Sequence, residues 1–295
     1  MTLRKDHLDT RAYLLLLGCC VFWGFQQVLV KATMPEVPPV MQAAVRFAGA
    51  SVLLWLWCQW RGLALWGQDG TLWPGLLAGF LFAGEFAALY IGLQQTAASR
   101  LTVFLYTSPF WVAALLPLFV PAERLRAVQW VGLTCAFVAV VFALWGRLHV
   151  TGAPWWGDAL GLAAGMLWGL TTVVIRATGL GRISPEKLLM YQVGVSALLL
   201  PWLSWGLGER WLAVQWSGFA ITSVLVQTVL GAFVSYLVWM WLLVRYPAAK
   251  MGAFVFLTPV VSLLMGALWL HEPITSTLVW AVALVGVGIV LVNKK

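Results

Sequence analysis

The stretch FWGFQQVLVKAT (residues 22–33) returns almost unchanged as LWGLTTVVIRAT (residues 167–178). Trp23 and Trp168, Gly24 and Gly169, Val28 and Val173, Ala32 and Ala177, and Thr33 and Thr178 are identical across copies 145 positions apart, and Lys31 answers Arg176. The correspondence continues along each half. ASRLTVFLYTSPF (98–110) aligns with AAKMGAFVFLTPV (248–260), setting Arg100 against Lys250, Phe104 against Phe254 and Pro109 against Pro259. Further on, ERL (123–125) meets EPI (272–274). Matches in the same order at a nearly constant offset mark an internal duplication.

Composition sets the medium in which this duplication works. With 62% hydrophobic residues, 9% charged residues and a mean hydropathy of +0.91, the chain lies far from soluble proteins, which carry about a quarter charged residues. Apolar runs long enough to cross a bilayer fall at 12–32, 39–60, 72–93, 98–119, 127–146, 157–178, 186–205, 217–243, 250–270 and 274–292. The expected fold is therefore an all-α integral membrane protein of ten transmembrane helices. The duplication divides it into two five-helix repeats, 1–149 and 150–295. Because five is odd, the second repeat enters the membrane from the opposite side, and such inverted repeats place a binding site near the midplane, where the halves meet.

The net charge of +8 invites a nucleic-acid reading, but its distribution points to the membrane. With both termini in the cytoplasm, thirteen Lys and Arg lie on the inner side, and Lys31, Arg100, Arg147 and Arg210 lie on the outer side. That asymmetry is the positive-inside rule. The partners implied are the lipid bilayer and a small-molecule substrate, with no nucleic acid. Trp clusters such as Trp55/Trp57/Trp60 and Trp202/Trp205 suit interfacial belts. The N-terminal Arg4, Lys5 and Arg11 precede an apolar run with no small-residue cleavage site, which reads as an uncleaved first span.

Chemical motifs are sparse. Cys19, Cys20, Cys58 and Cys135 all fall within apolar spans without a C-x-x-C pair and read as packing residues. The sequence HEPIT (271–275) lacks the second His of a zinc-protease helix, and there is no G-x-x-x-x-G-K-[ST] loop. No metal, cofactor or catalytic residue is expected. A membrane-embedded enzyme would need paired carboxylates or a nucleophile–base set inside the spans, and a channel would need a continuous polar lining. A secondary carrier fits better.

Its binding site is expected among the mid-span polar and aromatic groups. Trp23 and Trp168 lie at helix centres in repeat-related positions; beside them Gln26 and Gln27 correspond to Thr171 and Thr172. Tyr106, Tyr191, Gln192 and Tyr236 add further hydrogen-bonding groups at depth, where polar side chains face another helix or a cavity. Two ionisable residues lie deep, Arg46 on the second span and Glu85 on the third. At 1.5 Å rise per residue they sit about 5 and 4 Å outward of the midplane. They read either as a structural ion pair or as recognition and coupling groups. A phosphorylated substrate is disfavoured, because such anions usually meet several basic groups. Lys31, Arg100, Arg176 and Lys250, at helix ends, read as interfacial anchors. Gly161, Gly165 and Gly169 form a small-residue stripe. Pro109 and Pro259 fall near the middles of the fourth and ninth spans, where Pro kinks a helix and can serve as a hinge.

The W-G pairs on spans 1 and 6, the ERL/EPI turns after spans 4 and 9, the TSP and LTP kinks and the 5+5 layout together resemble the drug/metabolite transporter (DMT) superfamily, EamA type, over essentially the whole chain. The lone glutamate in GEFAALYIGL (84–93) is similar to that of the YddG-like aromatic amino-acid exporters. The resemblance implies a monomeric ten-helix basket in the bacterial inner membrane, with spans 1–4 and 6–9 around a central cavity and spans 5 and 10 outside it. The implied activity is export of amino acids, aromatic ones favoured, or of related small metabolites by alternating access. Other drug, metabolite or sugar-type substrates are the alternative.

Overall fold

A computed structural model describes residues 5, 7–67, 69–96, 98–148, 155–270 and 276–294. Every regular element among them is helical: α1 (Thr10–Thr33), α2 (Pro39–Arg61), α3 (Leu72–Gln95), α4 (Ala98–Leu105), α5 (Ser108–Leu115), α6 (Ala127–Leu148), α7 (Trp155–Ala177), α8 (Pro185–Gly206), α9 (Gly218–Val226), α10 (Tyr236–Arg245), α11 (Ala248–Val255), α12 (Leu257–Leu270) and α13 (Ser276–Asn293). Eight of the helical segments are long and apolar enough to cross a bilayer, and α6 and α13 contain shorter apolar stretches. The protein is a multi-pass membrane protein. Its outer surface carries exposed Leu, Val and Phe, with Trp60, Trp73, Trp155, Trp202 and Trp205 exposed near helix ends, as aromatic belts require. The boundary expected at 149/150, and His271 and Glu272, lie outside the described residues.

Local chemistry explains where helices start, stop and break. Asp9 caps α1 by accepting from Ala12 N at 2.9 Å, and Ser184 caps α8 by accepting from Lys187 N at 3.2 Å. Glu209, from the α8–α9 connection, caps α2 from outside, accepting from Val40 N at 3.1 Å and Met41 N at 2.7 Å. The kinks expected at Pro109 and Pro259 are full interruptions. A turn at Tyr106 and Thr107 separates α4 from α5, and Phe256 separates α11 from α12. Each Pro then sits in the first turn of the new helix, where its missing N–H leaves no intrahelical bond unmade. A feature absent from the sequence reading is the π-helix Gln227–Ser235, which joins α9 to α10.

The principal packing pairs are α3 with α7, α6 with α13, α2 with α8, α3 with α8, and α1 with α12, while α4 and α5 pack on α7. Glycine sets how closely two of these helices approach. A Cβ on Gly24 would lie 2.9 Å from both Thr258 O and Ser262 N of α12, and one on Gly169 would lie 2.6 Å from Trp111 Cβ of α5. The W-G phrase of each copy thus brings its helix onto an interrupted partner. Gly165 likewise meets Phe104 O and Leu105 O, each 2.7 Å from the Cβ position, so the glycine stripe of α7 is a packing seam against α4 and α5.

Candidate functional site

A cavity of about 730 Å³ lies between the helices. At one end it is lined by Lys31, Met34 and Pro35, at and just past the end of the first W-G phrase, where Lys31 and Pro35 are exposed. At the other end it stops at Ile175 and Leu243, both 1% exposed. The volume and mixed lining fit a small organic molecule.

Most of the expected site residues converge here. Trp23, Gln26, Gln27, Arg46, Glu85, Tyr106, Trp168, Thr171, Gln192, Tyr236 and Pro259 all line the cavity. Trp23 donates its indole N–H to Ser235 Oγ at 2.8 Å, and its ring meets Tyr236 and Trp239 at centroid distances of 6.1 and 5.3 Å. Trp168 sits edge-on to Tyr106 at 6.1 Å, and the Tyr106 hydroxyl accepts from Gln27 Nε2 at 3.5 Å. The two tryptophans of the repeated phrase therefore each belong to an aromatic cluster on the wall. Thr171 returns its hydroxyl to Leu167 O at 2.8 Å, the back-bonding that satisfies Thr within a helix.

Two expected residues lie elsewhere. The Tyr191 ring occupies the place a Cβ on Gly75 would take, 2.5 Å from its carbons, and its hydroxyl pairs with Thr71 Oγ1 at 3.3 Å. It serves the α3–α8 seam, because its helical position turns it away from Gln192. Pro109 is buried against α11, 3.4 Å from the Cβ position of Gly252.

Of the two readings of Arg46 and Glu85, the structural ion pair is not made. Arg46 lies over the rings of Phe47 and Phe86, at 4.8 and 5.2 Å from their centroids. Arg46 Nε and Nη2 and Glu85 Oε2 are buried without a hydrogen-bond partner, as are both amide atoms of Gln192. Aromatic faces hold the cation in place of the carboxylate. The sequence carried a hint of this arrangement in Arg46-Phe47 and Glu85-Phe86, where each deep charge precedes a Phe.

Among the described residues a buried ion pair is made by groups that the sequence reading assigned otherwise. Arg176, expected at the interface, is buried and bonded to Glu123, with side-chain exposures of 3% and 1%. Arg176 Nη1 also donates to Leu243 O at 2.8 Å, and Glu123 Oε2 accepts from Ala248 N at 3.0 Å. One cluster thus ties α7, the α5–α6 connection, α10 and the start of α11 together directly behind Ile175 and Leu243. The signal for it was the recurrence of a basic residue and an acid in both repeats. Lys31, the repeat counterpart of Arg176, instead stands exposed at the open end.

Outside the spans, Asp69 joins the start of α3 to α8. It accepts from Thr71 Oγ1 at 2.6 Å and from Lys187 Nζ at 2.8 Å, and the Lys187 ammonium holds its carboxyl well below the usual carboxylate range. Among the described residues no group of three or more His, Cys, Asp or Glu gathers as a metal site would require.

A helical, multi-pass membrane protein with an internal cavity open at one end fits the broad class of membrane transporters. The comparisons with known proteins specify it further. The model of the EamA-like transporter family matches residues 10–145 and again residues 155–294, and the chain belongs to that family, within the DMT superfamily; it is a transporter. It is 29% identical to the uncharacterized transporter YvbV of Bacillus subtilis, over 99% of this chain and 94% of that protein. It is 25% identical to the B. subtilis transporter YoaV, over 93% of this chain and 94% of that protein. The inner membrane transporter YedA of Escherichia coli is 24% identical over 93% of this chain and 90% of its own length. A solved crystal structure shares the fold with a TM-score of 0.80 at 20% identity, covering 95% of this chain and 97% of that one.

Proposed function

We propose that this transporter is a monomeric secondary carrier of ten membrane-spanning helices, built as inverted repeats 1–149 and 150–295. It exports amino acids, aromatic ones foremost, across the bacterial inner membrane by alternating access. The observation that carries the substrate class is the aromatic-walled cavity, in which Trp23 and Trp168, from the two copies of one phrase, join buried polar groups of both charges. An amphipathic molecule with a ring and a charged end matches such a lining.

The double match of the family model supports the repeat. So does the packing: α1 on α12 mirrors α7 on α5, and the α2–α8 and α6–α13 pairs each join corresponding spans of the two halves. Positive charge at the connections on the Arg61 and Arg182 side supports cytoplasmic termini. On that orientation the Lys31 end opens outward and the Glu123–Arg176 cluster closes the cytoplasmic side. The interruptions before Pro109 and Pro259 serve as hinges between this state and its opposite. A cavity that stops at buried Ile175 and Leu243 favours a carrier over a channel.

The test is to substitute the walls. Apolar burial and stacking against a Trp are worth about 1.5–3 kcal/mol. Trp23→Ala and Trp168→Ala should each reduce tryptophan transport by about tenfold or more while leaving thermal stability comparatively intact. Parallel losses of stability and transport would mark both residues as packing.

A further inference from the structure

A wall of rings accepts an indole, but it does not distinguish tryptophan from the amine or the acid that shares that ring. Three polar side chains facing the cavity bear on that distinction: Arg46 on α2, Glu85 on α3 and Gln192 on α8, exposed by 1%, 5% and 0%. Glu85 Oε2, Arg46 Nε and Nη2, and both Gln192 amide atoms have no hydrogen-bond partner. A buried charge left in this condition is unfavourable unless something else completes it. Among the described residues, no carboxylate lies within ion-pair distance of Arg46, although Glu85 lines the same cavity.

The geometry leaves the two charges buried and unpaired beside the cavity. Phe47 and Phe86 pack against each other at 4.8 Å and lie under the guanidinium of Arg46, so the faces of that group are engaged and its Nε/Nη2 edge is not. Two parallel N–H groups on one edge match the two oxygens of a carboxylate. Tyr236 lines the cavity with Arg46 and Glu85, and its ring contacts Phe47 at 6.4 Å and Phe82 at 5.9 Å. Both charges therefore border one region of the cavity, beside the rings that would hold an aromatic side chain.

We propose that Arg46 and Glu85 are separate receptors for the two charges of a zwitterion, Arg46 taking the carboxylate on its Nε/Nη2 edge and Glu85 taking the ammonium. These two residues, and not the aromatic walls, then set the requirement that a substrate carry both charges. The assignment rests on the amino-acid reading above and adds to it which residue reads which end.

The experiment measures binding of L-tryptophan, tryptamine and indole-3-propionate to the purified full-length transporter and its variants. Wild type should prefer tryptophan over either analogue by about tenfold or more. Arg46→Gln should lose the preference over tryptamine, which lacks the carboxylate, and keep the preference over indole-3-propionate. Glu85→Gln should do the reverse. Arg46→Lys keeps the charge without the two-donor edge, so it should weaken tryptophan and leave tryptamine unchanged, and it decides the matter if Arg46→Gln does not fold. Unchanged discrimination in folded variants, or equal loss of all three ligands, overturns the assignment while leaving the amino-acid reading in place. Failure of wild type to bind tryptophan, phenylalanine or tyrosine overturns the amino-acid reading itself.

Discussion

Arg176 and Glu123 meet in a buried ion pair immediately behind the closed end of the cavity, and the same two side chains bond the carbonyl of Leu243 and the amide of Ala248. Breaking a buried pair from one side leaves an uncompensated charge and costs about 3–5 kcal/mol. In the closed state that charge has no water to turn to, whereas opening this end would hydrate it.

Glu123→Gln and Arg176→Met should therefore lower thermal stability and shift the protein toward opening at the Leu243 end. A single Cys at Ile175, in a background without the four native cysteines, should react slowly with a maleimide supplied to inside-out vesicles and several-fold faster once Glu123→Gln is added. Equal labelling in the two backgrounds would limit the pair to a structural role.

Glycine packing gives a prediction with an internal control on one helix. Gly24→Ala on α1 places a methyl against the backbone of α12, which cannot rotate away as a side chain could, and should cost about 1–3 kcal/mol. Gly18→Ala, with nothing within 4 Å of the added carbon, should cost nothing measurable. Thermal unfolding in detergent compares the two, and equal melting temperatures would contradict the close approach of α1 and α12.

Orientation is tested at two exposed sites on opposite ends of the fold. Leu212, in the α8–α9 connection, and Gly67, in the α2–α3 connection, are both exposed. In intact cells Leu212→Cys should react with an impermeant maleimide and Gly67→Cys should not. The reverse pattern would turn the transporter over and exchange the outward and inward ends of the cavity.

At the N-terminal end of α1, Asp9 accepts from Lys5 Nζ at 2.5 Å, Ala12 N at 2.9 Å and the Tyr246 hydroxyl at 2.9 Å. The hydrogen bond from Lys5, then the one from Ala12, lower its carboxyl to about 2. A depressed carboxylate contributes stability above its unfolded value of about 4 and loses it as pH falls toward the folded value. The melting-temperature difference between wild type and Asp9→Asn should thus be full near neutrality and shrink as pH drops from about 4 to about 2. A difference independent of pH would show that Asp9 acts through shape alone.

Much of this architecture was legible because the bilayer forces it. A chain with this hydropathy must satisfy its backbone within helices, and among the described residues the expected apolar runs fall on helices, two of them broken at Tyr106–Thr107 and at Phe256. The cavity residues were legible for the same reason, since Gln26, Gln27, Arg46 and Glu85 could not face lipid. What the sequence concealed was side-chain partnership. Whether Arg46 met Glu85 or Phe86 depends on angstrom-scale placement that periodicity does not encode. Arg176 looked like an anchor because helix-end position suggests the interface, whereas Glu123 reaches it from a connection 53 residues away. Tyr191 and Gln192 are neighbours in sequence, and the helix turns one to the seam and the other to the cavity. The π-helix left only a scatter of Gln227, Thr228, Gly231 and Ser235 in an apolar run.

The central claim is that this cavity carries amino acids across a membrane, and counterflow in proteoliposomes tests it most directly. Vesicles containing the purified transporter and preloaded with unlabelled tryptophan should accumulate labelled tryptophan transiently above the level in empty-loaded controls, and Trp168→Ala should flatten that overshoot. No overshoot with tryptophan, phenylalanine or tyrosine, alongside clear counterflow of a sugar or a simple amine, would contradict the account.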